Sequence, residues 1–265
     1  MVDLAGKRIL ISGASEGLGR ALAVALGAKG ARLALLARSG DGLAETAALA
    51  LQAGAPQVLL FKGDVSKPAA RALADRAARR LGGLDVLVNN AGVHAFAAVA
   101  DMPEALLLET LQVNLLGPLR LIQGALPHLR DSQGTVVNVG SSLAWRAIPH
   151  GGAYSASKAA LSRLGEALRD EEAFRGLRVL QFDPGVVATG LRSHALRHGV
   201  DLDENPAALP YPRGAGRTAR ELVRALERGR SRYFSAAWQV RLWAKVLAPF
   251  FGGSLDGRMR MRGGE

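Results

Sequence analysis

The chain has 265 residues, 49% hydrophobic and 22% charged, with 32 glycines, no cysteine and a formal net charge of +11. One large α/β domain or two small ones fit that length, and a mean hydropathy of +0.11 excludes a largely disordered chain. The missing thiols exclude disulfides, cysteine-ligated zinc and thiol catalysis. No charge-free apolar run approaches the ~20 residues of a spanning helix, and the apolar stretch near the N-terminus is too short for a signal peptide, so a cytoplasmic protein is expected.

In chain order, short runs that are apolar on both faces predict buried parallel strands at residues 8–11, 32–37, 57–61, 85–88, 135–139 and 178–182. Longer amphipathic stretches between them predict helices over 17–29, 43–52, 68–81, 103–129 and 153–174. Strand–helix alternation of this kind implies right-handed βαβ units and a doubly wound parallel sheet with helices on both faces, one α/β domain over 1–265. Residues 190–213 are polar and proline-punctuated, and read as a long loop or short helices over the sheet edge, placed to form a substrate loop. From residue 213 to 265 there are twelve Lys/Arg against four Asp/Glu, so +8 of the net charge lies there. Residues 233–251 also hold six of the thirteen aromatics: Tyr233, Phe234, Trp238, Trp243, Phe250 and Phe251.

The first strand runs into Ser12-Gly13-Ala14-Ser15-Glu16-Gly17-Leu18-Gly19, and a helix follows. Free backbone N–H groups and the positive end of a helix dipole meet at such a turn, where a pyrophosphate fits, and glycine is needed where a side chain would hold the phosphate off. Strand, glycine turn and helix in this order predict a Rossmann-type dinucleotide site. The second strand ends in Arg38-Ser39, with no acid before Asp41. A carboxylate there would accept hydrogen bonds from the ribose of NAD, whereas an arginine offers planar donors to a 2′-phosphate. NADP(H) is therefore the expected cofactor, with Arg38, Ser39 and Ser15 as phosphate contacts.

The spacing G-x-x-x-G-x-G resembles the opening of the short-chain dehydrogenase/reductase family. Three further motifs carry the resemblance: Asn89-Asn90-Ala91-Gly92 after the fourth strand, Tyr154-Ser155-Ala156-Ser157-Lys158, and Pro184-Gly185 followed by Thr189. Their order and separations match that family over residues 5–190. Ser12 replaces the usual threonine but keeps a hydroxyl, and Glu16 stands where many NADP-using members carry Lys or Arg. The resemblance implies that Gly13, Ser15, Glu16, Gly17, Leu18 and Gly19 form the phosphate turn and that Asp64 and Val65 border the adenine. It further implies that Asn90, Ala91 and Gly92 line the ribose side, and that Pro184, Gly185, Val187 and Thr189 hold the nicotinamide end.

Tyr154 and Lys158 are four residues apart on a predicted helix and so project from one face. A cation beside a phenol favours phenolate and brings a group of intrinsic pKa about 10 toward a useful acid/base range. The family's orienting serine lies thirteen residues before the tyrosine, which selects Ser141, with the adjacent Ser142 as the alternative. Asn114 matches the fourth catalytic position, where a buried asparagine with a purely structural hydrogen bond is the competing reading. The implied reaction is hydride transfer between NADP(H) and a carbonyl/alcohol pair, and no metal is required. His194 and His198 have metal-compatible i, i+4 spacing but no third ligand follows.

Candidate pocket residues, His94, Ala95, Phe96, Leu143, Trp145, His150, Val186 and Leu191, are mostly apolar and suggest a lipophilic ketone, aldehyde or secondary alcohol. Arg146 and Arg192 read either as anion clamps or as solvated arginines. The basic aromatic segment 233–265 has three readings: a peripheral membrane contact, a subunit interface of a homodimer or homotetramer, or a cover over the substrate loop. The net charge alone would also suit nucleic acid, but no reading motif accompanies it and no nucleic-acid partner is expected. The expected function is an NADP(H)-dependent carbonyl reductase or alcohol dehydrogenase; a non-catalytic NADP(H)-binding regulator on the same fold is the alternative.

Overall fold

Six of the seven strands of the central sheet are runs of Val, Leu, Ile and Ala that have no polar face to offer solvent, so helices must cover both sides. The computed structural model describes residues 2–191, 194–200 and 213–235. In chain order the elements are β1 (Arg8–Ser12), α1 (Gly17–Gly27), β2 (Arg32–Ala37), α2 (Gly40–Gln52), β3 (Gln57–Lys62), α3 (Ala70–Leu81) and β4 (Val86–Asn89). There follow β5 (Ala95–Ala97), α4 (Glu104–Leu111), a π-helical turn (Gln112–Leu116), α5 (Gly117–Asp131), β6 (Thr135–Val139) and α6 (Gly152–Glu172). The last elements are β7 (Arg178–Pro184), β8 (Val187–Ala188), β9 (Leu196–His198), β10 (Arg213–Gly214), α7 (Ala215–Glu227) and β11 (Arg232–Ser235).

The sheet is parallel with order β11-β7-β6-β4-β1-β2-β3. One core cluster packs α1, α2 and α7 on one face, around Leu22, Leu26, Leu43 and Leu222. The other packs α3 and α5 on the opposite face, around Ala74, Ala78, Leu121 and Leu129. The strand order reverses between β1 and β4, and the registers Ile11↔Val88 and Asn89↔Asn138 bring the strand ends level there. A crevice outside the carboxyl ends of the strands at such a reversal is where open α/β sheets bind ligands.

All six expected strands form, within two residues at each end. A seventh, β11, overlaps the start of the basic aromatic segment. Its Tyr233 stacks on Phe182 at 5.7 Å and packs against the core. Helix α7 has no counterpart among the expected helices, although Ala219, Leu222, Val223 and Leu226 mark its buried face. The expected loop after residue 190 contains β9, which pairs with β5 and thereby ties this segment to the sheet's carboxyl end. Residues 201–212 and 236–265, including Trp238, Trp243, Phe250 and Phe251 and the membrane and interface readings placed on them, lie outside the described residues, as does Arg192.

The run from Glu104 to Asp131 is 28 residues long and, by length and composition alone, apolar enough to cross a membrane. Here its α5 half packs on α3, and Arg120 within it donates to the Ser66 carbonyl and to Gln112, each at 2.9 Å.

Asp85 fastens the amino ends of three strands. Its carboxylate accepts from the Arg8 amide at 2.9 Å and from Arg8 Nε at 2.7 Å, and its carbonyl accepts from the Thr135 amide at 2.9 Å. Burial pushes this carboxyl up, but the hydrogen bonds and charge of Arg8, with Lys7 beyond, outweigh it and hold the group below its ordinary value. Asp85→Asn is expected to lower unfolding stability at neutral pH by about 2 kcal/mol in denaturant titrations. Because the folded-state value is depressed, the contribution is present above the unfolded carboxyl's pKa and is lost as pH falls through the folded one. Wild type and variant should therefore converge in acid.

Candidate active site

The site begins with a knot between the end of β1 and the end of β4. Ser12 Oγ accepts from the amides of Asn90 and Ala91, at 3.0 and 3.1 Å, and donates to the Val88 carbonyl. Asn90 Nδ2 returns two bonds, to the Ser12 and Gly13 carbonyls. The backbones then lie so close that glycine is required. Gly13 has φ +64°, and a Cβ on it would stand 2.8 Å from Ala91 Cα. A Cβ on Gly19 would run into the Gly13 carbonyl. The turn is thus an open cradle of backbone amides at the start of α1, of the shape and polarity a pyrophosphate needs.

From this cradle a cleft of about 2310 Å³ runs along the carboxyl ends of the strands. Its lining brings together every expected cofactor residue from Gly13 to Thr189, with Ser141, Tyr154 and Lys158 at the far end. Arg38 is exposed at the tip of β2, while Ser39 Oγ accepts from the Gly42 amide and caps α2, so its hydroxyl already has a structural partner. His194 faces Glu16 across the mouth at 3.7 Å. His198 lies on β9, where helical i, i+4 spacing does not apply, so the pair has no metal-binding geometry.

At the far end, α6 presents Tyr154 and Lys158 from one face, and both side chains are buried. Ser141 and Ser142 both line the cleft; the Ser141 hydroxyl accepts from the Leu143 amide at 3.1 Å and bears on the Tyr154 phenol, whereas Ser142 begins a 3-10 turn. Lys158 Nζ donates to the Val139 carbonyl at 2.9 Å. Burial pushes the Tyr154 phenol up to about 12, opposed by its bond to Ser141, and pushes the Lys158 ammonium down to about 8. Desolvation is the largest influence on both groups. The His94 ring stacks on Tyr154 at 3.9 Å and on Phe96 at 4.2 Å, walling one side of the phenol.

Asn114 stands behind the cleft wall, fully buried on the π-turn. Its amide pairs with both groups of the Val93 peptide unit at 2.9 Å and donates to Ser157 Oγ at 3.0 Å. It braces the Asn90–Gly92 stretch from behind, since a Cβ on Gly92 would lie 3.2 Å from Asn114 Oδ1 and 3.5 Å from Lys158 Nζ. Of the expected pocket residues, His94, Phe96, Leu143, Val186 and Leu191 line the cleft. Ala95, Trp145 and His150 do not. Trp145 turns inward, where its indole N–H donates to Asp183 at 3.2 Å and Arg232 lies 4.8 Å over its ring.

Comparison with known proteins agrees with this geometry. The family model for short chain dehydrogenases matches residues 7–198. The chain belongs to the short-chain dehydrogenase family. It is 34% identical over 257 residues to 11-beta-hydroxysteroid dehydrogenase A of Sesamum indicum, covering 93% of this chain and 73% of that protein. It spans 49% of 11-beta-hydroxysteroid dehydrogenases 1A and 1B of Arabidopsis thaliana, 40% identical over 173 residues and 64% of this chain. An alcohol dehydrogenase from Thermococcus sibiricus complexed with 5-hydroxy-NADP superposes with a TM-score of 0.76 at 29% identity, over 86% of this chain and 95% of that one. A short chain dehydrogenase/reductase from Burkholderia phymatum in complex with NAD gives 0.80 at 26%, over 91% and 94%.

One residue of this short-chain dehydrogenase's site, Asp183, carries no expected role, and one contact of the expected pocket residue His94 is not foreseen. The His94–Tyr154 stack joins residues sixty apart in sequence, which spacing does not reveal. Asp183, an acid at the end of an apolar strand just before Pro184-Gly185, was a visible signal, since a charge in a buried strand needs a reason. Asn114→Ala would leave both groups of the Val93 peptide without their partner. An unfolding loss of about 2–3 kcal/mol is expected, together with weaker NADPH binding measured by fluorescence titration, because the Asn90–Gly92 wall loses its brace.

Proposed function

We propose that the protein is an NADP(H)-dependent oxidoreductase acting on a lipophilic carbonyl/secondary alcohol pair, with Tyr154 as general acid/base. The observation that carries this reading is the buried Ser141–Tyr154–Lys158 constellation at the end of a cleft whose other end is a side-chain-free phosphate cradle. The glycines that admit no Cβ fit a dinucleotide pyrophosphate. NADP(H), when bound, supplies hydride exchange at its nicotinamide.

The residues of the chain divide the rest of the chemistry. Gly13, Gly17 and Gly19 receive the pyrophosphate, and Asn90 to Gly92 and Pro184 to Thr189 flank the ribose and the nicotinamide. Arg38, exposed at the tip of β2 with its planar donors, takes the 2′-phosphate with the amino end of α2 and Ser15 beside it. Ser141 hydrogen-bonds the substrate oxygen. Tyr154 gives that oxygen a proton in reduction and takes it back in oxidation. Lys158 holds positive charge beside the phenol, and Asn114 keeps the Gly92 wall against it. Phe96, Leu143, Val186 and Leu191 make the substrate end apolar, and hydroxysteroid dehydrogenases among the relatives support a bulky lipophilic substrate.

Tyr154→Phe is expected to lower NADPH-dependent ketone reduction by a factor of about 10²–10⁴, the range for loss of a general acid, while NADPH affinity changes little. Retained turnover across a panel of lipophilic ketones and aldehydes would assign the proton to another group. Absence of turnover in the wild type with tight NADPH binding would favour the regulator. In the cofactor site, Arg38→Asp is expected to weaken NADPH by at least tenfold and leave NADH nearly unchanged in parallel fluorescence titrations. Equal losses would remove the phosphate assignment.

A further inference from the structure

The loop after β4 carries His94, and its backbone is tied down at several points. The Val93 peptide just before it is gripped by the Asn114 amide, with both bonds at 2.9 Å. The His94 carbonyl accepts from the Leu196 amide at 2.9 Å, where the chain enters β9. Strand β5 begins at the next residue and pairs with β9 in the register Ala95↔Leu196. At the far end of β5, the Ala97 amide donates to the His150 carbonyl at 2.9 Å, and Ala97 bridges to Gly151, the residue that opens α6. A side chain on this stretch therefore stands on a fixed base.

The side chain in question is a flat ring laid against the reacting one. His94 and Tyr154 have centroids 3.9 Å apart and planes within 11°, so their faces touch and nothing fits between them. The imidazole also stacks on Phe96, at 4.2 Å and 9°, and Phe96 is itself fully buried. With its backbone tied and Phe96 immobile, the imidazole cannot give way, and the phenol cannot lean toward it. A phenol works as an acid only when its oxygen is within hydrogen-bond reach of the substrate oxygen, and small displacements are costly. We propose that His94 is a positioning residue of the active site: its ring face, held by the braced loop, keeps the Tyr154 phenol aimed at the substrate oxygen. The imidazole nitrogens take no part in the proton transfer. The inference rests on Tyr154 being the acid/base of the proposed reaction.

The test is the steady-state reduction of acetophenone by NADPH in wild type, His94→Ala and His94→Phe. His94→Ala is expected to lower kcat about tenfold or more while the substrate KM and the NADPH affinity stay within about threefold. His94→Phe, which restores an aromatic face without a nitrogen, is expected to recover most of the lost rate. A phenylalanine variant as slow as the alanine one would overturn the proposal by giving the role to the nitrogens. A change confined to KM would overturn it too, by making His94 a wall of the substrate space, and so would wild-type kinetics in His94→Ala. Should His94→Ala not fold, His94→Leu, which keeps bulk without a flat face, takes its place with the same expectation. If the wild type does not reduce acetophenone, the stack is read by fluorine NMR of protein labelled with 3-fluorotyrosine. The chain has three tyrosines, and Tyr154→Phe assigns the line that matters. Loss of the ring in His94→Ala is expected to displace that line, and His94→Phe to bring it back toward the wild-type position. Silence in the turnover assay then counts against the substrate reading alone, and an unmoved fluorine line counts against His94.

Discussion

Two polypeptide segments, joined at Ser12 and Asn90 78 residues apart, meet at the head of this sheet with no room between them for a methyl group. The end of β1 and the stretch after β4 are held together by a single hydroxyl, Ser12 Oγ, which receives two backbone N–H groups, and by the Asn90 amide, which returns two bonds to the turn. The side-chain-free floor of the cleft, the left-handed backbone at Gly13 and the entry angle of α1 all follow from that close approach. The same stretch continues into Gly92 and Val93, which the Asn114 amide grips from behind and which lie within reach of Lys158. Cofactor cradle and proton-transfer group are in this sense two ends of one braced segment.

The second organising fact is dryness. Tyr154 and Lys158 are almost out of solvent, and in such surroundings the unfavourable charge of each is expressed in its titration: the phenol rises and the ammonium falls. The local charge balance then depends on the few ionic groups that are also buried, Asp183 among them. A site of this kind is tuned less by the identity of its reacting side chains than by what stands immediately behind them.

How much of this the sequence discloses depends on the range of the interaction. Strands β1, β2, β4, β6 and β7 are legible because each is a local run of residues that no solvent-exposed strand would carry, and the glycine turn because its spacing encodes a local backbone shape. Tyr154 and Lys158 are legible because four residues on a helix is one face. β11 is not, because Arg232 and Tyr233 read as surface until β7 is beside them and Tyr233 lies on Phe182. Helix α7 was overshadowed by its arginines, although its apolar positions have helical spacing. Trp145 was legible as an aromatic near the site but not in its direction, which Asp183 and Arg232 decide from strands far along the chain.

The π-helical turn at Gln112–Leu116 has a consequence for how this helix tolerates change in length. A π-turn carries one residue more than the α-helix it interrupts. Regular helix flanks it on both sides, so trimming one residue there would heal the irregularity and make a better helix of α4 and α5. It would also turn one flank against the other by about 100°. Either Asn114 would swing away from Val93, or α5 would lose its seat on α3. The irregularity works as a phase adjustment between two packing surfaces, and a chain in which it was smoothed away would gain regularity and lose alignment.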